Sequence, residues 1–190
     1  AGQDAGKIVT GKNLNIPIHS SIKDFFREQK SKLNLEAENF TRGIHAIIGV
    51  ATPGGIIPHE LRQEILEAIS HGMHIVNGLH HYLSDDTELI KTAEKFQAEL
   101  IDIRKPKNAK ELSFWTGDIR GVAAPRIAMF GTDCAIGKRT SCLWLRNACR
   151  EDGIRTEMIY TGQTGKLQGS QHGFILDSTP NDFVSGELES

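Results

Sequence analysis

The sequence lacks an excess of either charge: 22 Lys and Arg stand against 24 Asp and Glu in 190 residues, a formal net charge of −2. A general nucleic-acid binder carries a basic surplus to neutralise phosphates, so that class is set aside, although a local basic pocket is not. Long apolar runs are missing as well. None approaches the ~20 residues that span a bilayer. The opening Ala-Gly-Gln-Asp-Ala-Gly-Lys shows neither the apolar stretch nor the charge pattern of a secretion signal. Secretion and membrane insertion are not expected, and the expected location is the cytoplasm. Cysteine is scarce: three residues, an odd number, make no disulfide framework. Cys142 and Cys149, seven apart, fall on one face of a helix and are expected to pack as small hydrophobes in a reducing compartment. The eight histidines form no HExxH and no Cys/His ligand spacing, so no metal site is expected. What is present, 38% apolar and 24% charged residues, is ordinary for a soluble globular chain with one large or two small cores.

Hydrophobic periodicity organises the first half. Residues 43–50, Gly-Ile-His-Ala-Ile-Ile-Gly-Val, read as a strand buried on both faces of a parallel sheet. The turn Thr52-Pro53-Gly54-Gly55 follows. Over 58–70, Leu61, Ile65, Leu66 and Ile69 mark one face of a helix, with Pro58 in its first turn and Gly72 just past its end. A strand over 74–76, a helix opening at Asp85 and Asp86 and running to about Phe96, and a strand over 100–103 complete β-α-β-α-β. That order predicts right-handed crossovers in a Rossmann-like parallel sheet. Upstream, 16–18 reads as a short strand and 22–29 as an amphipathic helix. Residues 104–126, from Arg104-Lys105-Pro106-Lys107 to Ala124-Pro125, read as a connection. A second α/β unit opens at 127 with the strand Ile-Ala-Met-Phe-Gly, followed by a helix over 140–149 carrying Leu143, Leu145 and Ala148, and a strand over 157–160. The expected organisation is a Rossmann-like domain over 1–108, a linker over 109–126 and a truncated P-loop α/β domain over 127–190.

The chemistry concentrates in one loop. Gly131, Thr132, Asp133, Cys134, Ala135, Ile136, Gly137, Lys138, Arg139 and Thr140 lie between an expected strand and an expected helix. This is the setting in which successive backbone N–H groups and a helix N-terminus converge on a phosphate, with the Lys as a mobile charge. Gly137 lets the backbone approach an anion without a Cβ in the way. Two details depart from G-x-x-x-x-G-K-[ST]: five residues separate Gly131 from Gly137, and Arg139 stands where a hydroxyl would hold magnesium. Dethiobiotin synthetases share the extra loop residue and the Gly-Thr-Asp opening. A guanidinium, however, cannot ligate a cation. Phosphate binding is expected; phosphate hydrolysis is left open.

A second loop, Thr161-Gly162-Gln163-Thr164-Gly165, follows the next expected strand and is expected to form another wall of the ligand site, because loops at the carboxyl ends of parallel strands converge. Asp177 and Asp182 are candidates for a base or metal ligand. In the first unit, Gly78-Leu79-His80-His81-Tyr82-Leu83-Ser84-Asp85-Asp86 joins a strand end to a helix start, with Ser84 or Asp85 as the expected cap. His80, a neutral imidazole at a strand's carboxyl end, is a candidate general base. The Thr52-Pro53-Gly54-Gly55 turn is placed to face the same crevice.

In that order these motifs resemble a bacterial and archaeal family named for D-glutamate N-acetyltransferase. The match runs through Gly49-Val50-Ala51 with Pro53-Gly54-Gly55, Gly78-Leu79-His80 with Leu83-Ser84-Asp85-Asp86, and Asp102 with Arg104 and Pro106. It continues through Gly131-Thr132-Asp133-Cys134 with Gly137-Lys138 and Thr140, Thr161-Gly162-Gln163-Thr164-Gly165, and Asp182-Phe183-Val184 with Gly186. The resemblance implies a Rossmann-like N-terminal domain joined to a P-loop C-terminal domain, and it covers nearly the whole chain. Family members begin with a further strand and helix and continue well beyond Ser190, so it also implies a middle fragment. Lys166-Leu167-Gln168 and His172 differ from the more apolar, glycine-flanked stretch of the family.

The leading reading is therefore an acyl-CoA-dependent N-acetyltransferase acting on an amino acid, D-glutamate by the family's name. The loop at 131–140 would hold the phosphates of acetyl-CoA, and acyl transfer needs a base and oxyanion donors but no magnesium. His80 and Asp177 are the candidate bases. The alternative is an ATP- and magnesium-dependent enzyme like dethiobiotin synthetase, in which Thr140, Asp133 and Asp177 would hold the metal. A third class is a non-catalytic nucleotide-binding module. The expected partner is a small-molecule substrate, with a homo-oligomer left open and neither nucleic acid nor membrane expected.

Overall fold

The computed structural model of the chain describes residues 2–33, 43–133 and 135–190; Cys134 lies outside them. Two compact units divide the chain, Ala1–Ile103 and Arg104–Ser190.

The first unit opens with two helices, α1 (Ala5–Thr10) and α2 (Ile22–Leu33). It continues as β1 (His45–Ile48), α3 (His59–Ser70), β2 (His74–Asn77), α4 (Thr87–Phe96) and β3 (Leu100–Asp102). The three strands are parallel in the order β1-β2-β3. Two successive right-handed crossovers that step in the same direction put α3 and α4 on the same face. The core forms there: Ile65, Ala68 and Ile69 of α3 and Leu89 and Ala93 of α4 pack with Ile48, Ile75 and Phe26. The expected burial of 43–50 on both faces does not hold. Ile48 is buried but His45 and Ile47 are exposed, because among the described residues the helical layer covers one side only. Register carries the more useful information. Ile48 pairs with Asn77 and Asn77 with Asp102, which aligns three side chains at the carboxyl edge of the sheet.

Local chemistry sets the helix ends. The chain leaves α3 with Gly72 N–H on the Ile69 carbonyl (2.8 Å) and Met73 N–H on that of Ala68 (3.2 Å), which satisfies the last carbonyls of the helix. The cap of α4 is Asp86, not Ser84 or Asp85: its carboxylate accepts the N–H groups of Glu88 and Leu89 at 2.9 and 3.1 Å. Arg62 of α3 reaches the same carboxylate through Nε and Nη2, at 3.2 and 2.9 Å, so one aspartate both starts α4 and ties it to α3. The strand expected over 16–18 shrinks to one antiparallel bridge between Asp4 and Pro17, since a proline has no N–H to extend a ladder.

The second unit contains α5 (Lys138–Glu151), β4 (Ile159–Tyr160), α6 (Gln163–Leu167), β5 (His172–Gly173) and α7 (Asn181–Glu189). The strand expected at 127–131 is not formed. A segment becomes a strand by pairing with a neighbour, and among the described residues β4 pairs in parallel with β5 instead. Ile127 and Phe130 are correspondingly exposed, at 70% and 91%. Nor does α5 bury any residue; Trp144 is exposed on it, and Cys142 and Cys149 are half-buried rather than in a core. Among the described residues, Met158, Phe174 and Ile175 are the buried apolar residues of this unit, and the segment read as a connection is exposed along most of its length. It holds two 3-10 turns, Ala109–Glu111 and Asp118–Gly121, and docks on α7. Glu187, buried and ion-paired with Lys107 at 2.6 Å, accepts Ser113 N–H at 2.9 Å. Glu189 accepts the N–H groups of Thr116 (2.7 Å) and Ile119 (2.8 Å). Just before them on α7, Gly186 permits backbone-to-backbone contact: a Cβ there would lie 2.0 Å from the Ser113 carbonyl oxygen. Among the described residues no helix is long and apolar enough to cross a membrane.

This contrast in packing is measurable. Ile69 is fully buried and Phe130 is 91% exposed. Ile69→Ala is expected to destabilise the protein by about 2–5 kcal/mol through lost burial and an unfilled cavity, and Phe130→Ala by no more than about 0.5 kcal/mol. Urea denaturation followed by circular dichroism reads both. Equal effects would show that the core has been misplaced.

Candidate functional site

The loop at 131–140 ends in the first turn of α5, whose N-cap is Gly137 in the left-handed region at φ 95°. Among the described residues no side chain caps this helix and its first turn holds no acid. Lys138 and Arg139 occupy that turn. Two cations at the positive end of a helix dipole are unfavourable by roughly 0.3–1 kcal/mol each unless an anion sits nearby. By contrast, α3 and α4 carry Glu60 and Glu88 at the corresponding place. The first N–H groups of α5 lack intrahelical acceptors, and the loop is wound tightly beneath them. A Cβ on Gly131 would meet the side chains of Ile136 and Lys138. Lys138 Nζ donates to the carbonyl of Asp133, folding its charge over the loop. Arg139 and Thr140 are exposed, as are Thr132 and Asp133. The donor set, a lysine, an arginine and uncapped N–H groups, suits a phosphate group. It offers no hydroxyl directly after the lysine for a magnesium ion.

The second loop takes a different form from the expected one. Gln163, Thr164 and Gly165 are the opening of α6, with Thr161 exposed and Gly162 extended at its N-cap. Gly165 is buried against Tyr160, where a Cβ would come within 2.2 Å of the tyrosine Cβ. The two-stranded sheet does not join this loop to residues 131–140, because 127–131 is not one of its strands. Asp177 lies in the turn Leu176–Ser178, exposed, and forms an ion pair with Arg104. Asp182 is exposed in the first turn of α7. Among the described residues no group of His, Cys, Asp and Glu is arranged to hold a metal ion.

The carboxyl edge of the first unit's sheet carries a connected polar network. His80 and His81 are exposed in the loop after β2, between the buried side chains of Leu79 and Leu83. The loop after β1 approaches from the side: His81 N–H donates to the Gly55 carbonyl at 3.2 Å. Gly55 itself has φ 67°, and a Cβ there would lie 2.9 Å from His80 Cβ, so only glycine fits. The predicted approach of the Thr52-Pro53-Gly54-Gly55 turn to the histidine loop is therefore present. Sequence reasoning missed Asn77, the polar residue with no exposed surface. Its signal was there, a polar residue directly after Ile75 and Val76, beside Asp102 at the end of the next strand. Asp102 Oδ1 accepts Asn77 Nδ2 (2.7 Å) and Leu83 N–H (2.9 Å), and Oδ2 accepts Ser84 N–H (2.9 Å). Partial burial raises the Asp102 carboxyl, but the hydrogen bonds from Asn77, Ser84 and Leu83 outweigh it and hold the group below its ordinary 3.8.

Comparison with known proteins places these sites in a family. Residues 1–106 match the DUF1611 N-terminal domain, a Rossmann-like domain of unknown function, and residues 113–190 match its C-terminal partner, a P-loop domain. A "D-glutamate N-acetyltransferase" of Pseudoalteromonas sp is 38% identical over 144 residues, 76% of this chain and 42% of the relative. A protein of the same name from Tritonibacter scottomollicae is 30% identical over 159 residues, 84% of this chain and 46% of its own length. The match thus spans less than half of either curated relative. A crystal structure of a DUF1611 family protein from Anabaena variabilis superposes with a TM-score of 0.77 at 31% identity, covering 98% of this chain and 49% of that one.

The Asp102 network has a pH signature. Its folded-state carboxyl lies below the ordinary 3.8, so its contribution is complete above that value and is lost as pH falls through the lower folded value. Asp102→Asn is expected to cost on the order of 1–3 kcal/mol near neutrality. The gap from wild type should narrow as the pH falls through that lowered value, where the carboxyl becomes protonated and neutral like the asparagine amide. Urea midpoints across that range test this, and a gap independent of pH would refute it.

Proposed function

The chain belongs to the DUF1611 family, and on that premise we propose that it serves an N-acetyltransferase that transfers the acetyl group of acetyl-CoA to an amino acid, D-glutamate by the name its relatives carry. The observation that carries the reading is the start of α5: two cations and uncapped N–H groups at the positive end of a helix, with no acid in its first turn. That is an unfavourable arrangement which a bound phosphate relieves.

When bound, acetyl-CoA supplies an acetyl group activated as a thioester. Lys138, Arg139 and the first N–H groups of α5 would hold its phosphates, with Gly131, Thr132, Asp133, Gly137 and Thr140 shaping the loop around them. The side chains of Thr161, Gln163 and Thr164, with Gly162 and Gly165, are the proposed second wall. Arg139 contributes positive charge where a nucleotide hydrolase would place a metal, so binding needs no magnesium. An amino group attacks a thioester only when unprotonated, so a proton acceptor is required. His80 is the proposed acceptor, exposed on a fixed loop. Asp177 is the lesser candidate, because its carboxylate is engaged by Arg104.

Removal of one charge-assisted contact of about 1.5–3 kcal/mol lowers affinity roughly tenfold to a hundredfold or more. Lys138→Ala should therefore weaken coenzyme A binding by that factor in isothermal titration, with chelator making no difference. Lys91→Ala, an exposed lysine on α4, is the matched control and should leave affinity unchanged. Release of free thiol from acetyl-CoA in the presence of D-glutamate reads the transfer itself. Equal affinity in wild type and Lys138→Ala sinks the phosphate-loop assignment. Magnesium-dependent binding of ATP instead of coenzyme A would favour the dethiobiotin-synthetase-like reading, and binding without turnover a non-catalytic module.

A further inference from the structure

Two polar side chains that the proposed reaction does not use are locked together at the carboxyl edge of the first unit's sheet. Asn77 has no exposed surface. Its amide Nδ2 donates to Asp102 Oδ1 (2.7 Å) and to the His81 carbonyl (2.8 Å), and its Oδ1 accepts Leu79 N–H (3.0 Å). Asp102 in turn accepts the N–H groups of Leu83 and Ser84, both at 2.9 Å. The pair thus fixes the backbone on each side of His80, at Leu79, His81, Leu83 and Ser84. A third anchor comes from the neighbouring loop, where Gly55 accepts His81 N–H and lies too close to His80 to carry a Cβ.

A strand-to-helix connection does not need such a device. Buried polar groups cost free energy unless fully hydrogen-bonded, and Leu79 and Leu83 already anchor this loop through apolar burial. What the polar pair adds is definition of the backbone between those anchors, where the two exposed histidines stand. We propose that Asn77 and Asp102 are positioning residues, which act through His80 by holding the 78–84 loop in the conformation that presents its imidazole. The inference rests on the reading of His80 as the proton acceptor. Displacing a reacting group by about 1 Å costs on the order of a hundredfold in rate, so small errors in this loop would be felt.

The test is a double-mutant cycle in acetyl transfer from acetyl-CoA to D-glutamate, with Asp102→Ala, Asp102→Asn, His80→Ala and the Asp102→Ala/His80→Ala pair. Asp102→Ala is expected to lower kcat at least about tenfold with KM within about twofold, and Asp102→Asn, which keeps one acceptor, to recover part of the loss. The double variant should be no slower than His80→Ala alone, because the pair acts through that side chain. A loss of equal size in the His80→Ala background overturns the inference, as does an unchanged kcat in Asp102→Ala. Full activity of His80→Ala removes the base assignment and this inference with it. If no protein transfers acetyl groups, the proposed function fails, and the ring resonances of His80 in NMR decide the positioning alone. They should shift in both Asp102 variants while those of His59 stay fixed, and unchanged His80 resonances overturn it.

Discussion

The hydrogen bond from Asn77 to Asp102, at 2.7 Å, joins the ends of two neighbouring parallel strands, and the carboxyl edge of the first unit's sheet is organised around it. Parallel strands leave their polar backbone ends at the carboxyl edge, where the loops that carry function begin. Here the register places Asn77 opposite Asp102, so that one carboxylate and one carboxamide can divide four loop partners between them. Beneath that edge the packing is conventional: α3 and α4 close one face of the sheet with aliphatic side chains, and Asp86 couples the two helices through Arg62.

The second unit is governed by a different imbalance. Most of its apolar residues are exposed, with Met158, Phe174 and Ile175 buried, and two carboxylates on α7, Glu187 and Glu189, gather the backbone of 113–119. At its other functional end the imbalance is positive, with Lys138 and Arg139 crowding a helix N-terminus that already repels cations. A charge distribution of that kind lowers stability and raises affinity for an anion.

The β-α-β-α-β order of the first unit was legible from hydrophobic periodicity, because α3 and α4 each bury one stripe of apolar side chains. The P-loop domain was legible because its glycines, lysine and following helix stand close together in the sequence. What failed, failed for non-local reasons. The strand expected at 127–131 has suitable residues but acquires no partner among the described ones, and pairing is not a property of the segment itself. The cap of α4 fell on Asp86 rather than on its neighbours because Arg62, 24 residues earlier in the chain, draws that carboxylate into place.

The site shows the same division. Sequence alone determined which residues are chemically able to act: a lysine and an arginine beginning a helix, and a histidine in the loop after a strand. Tertiary structure decided which of them are held in place. Asn77, just past the strand expected over 74–76, met its partner only when β2 and β3 came into register, and the Asp177 carboxylate is engaged by Arg104. Hydrogen bonds between residues 25 and 73 positions apart are made by the fold, since no local spacing specifies them, and they are what turns a suitable residue into a positioned one.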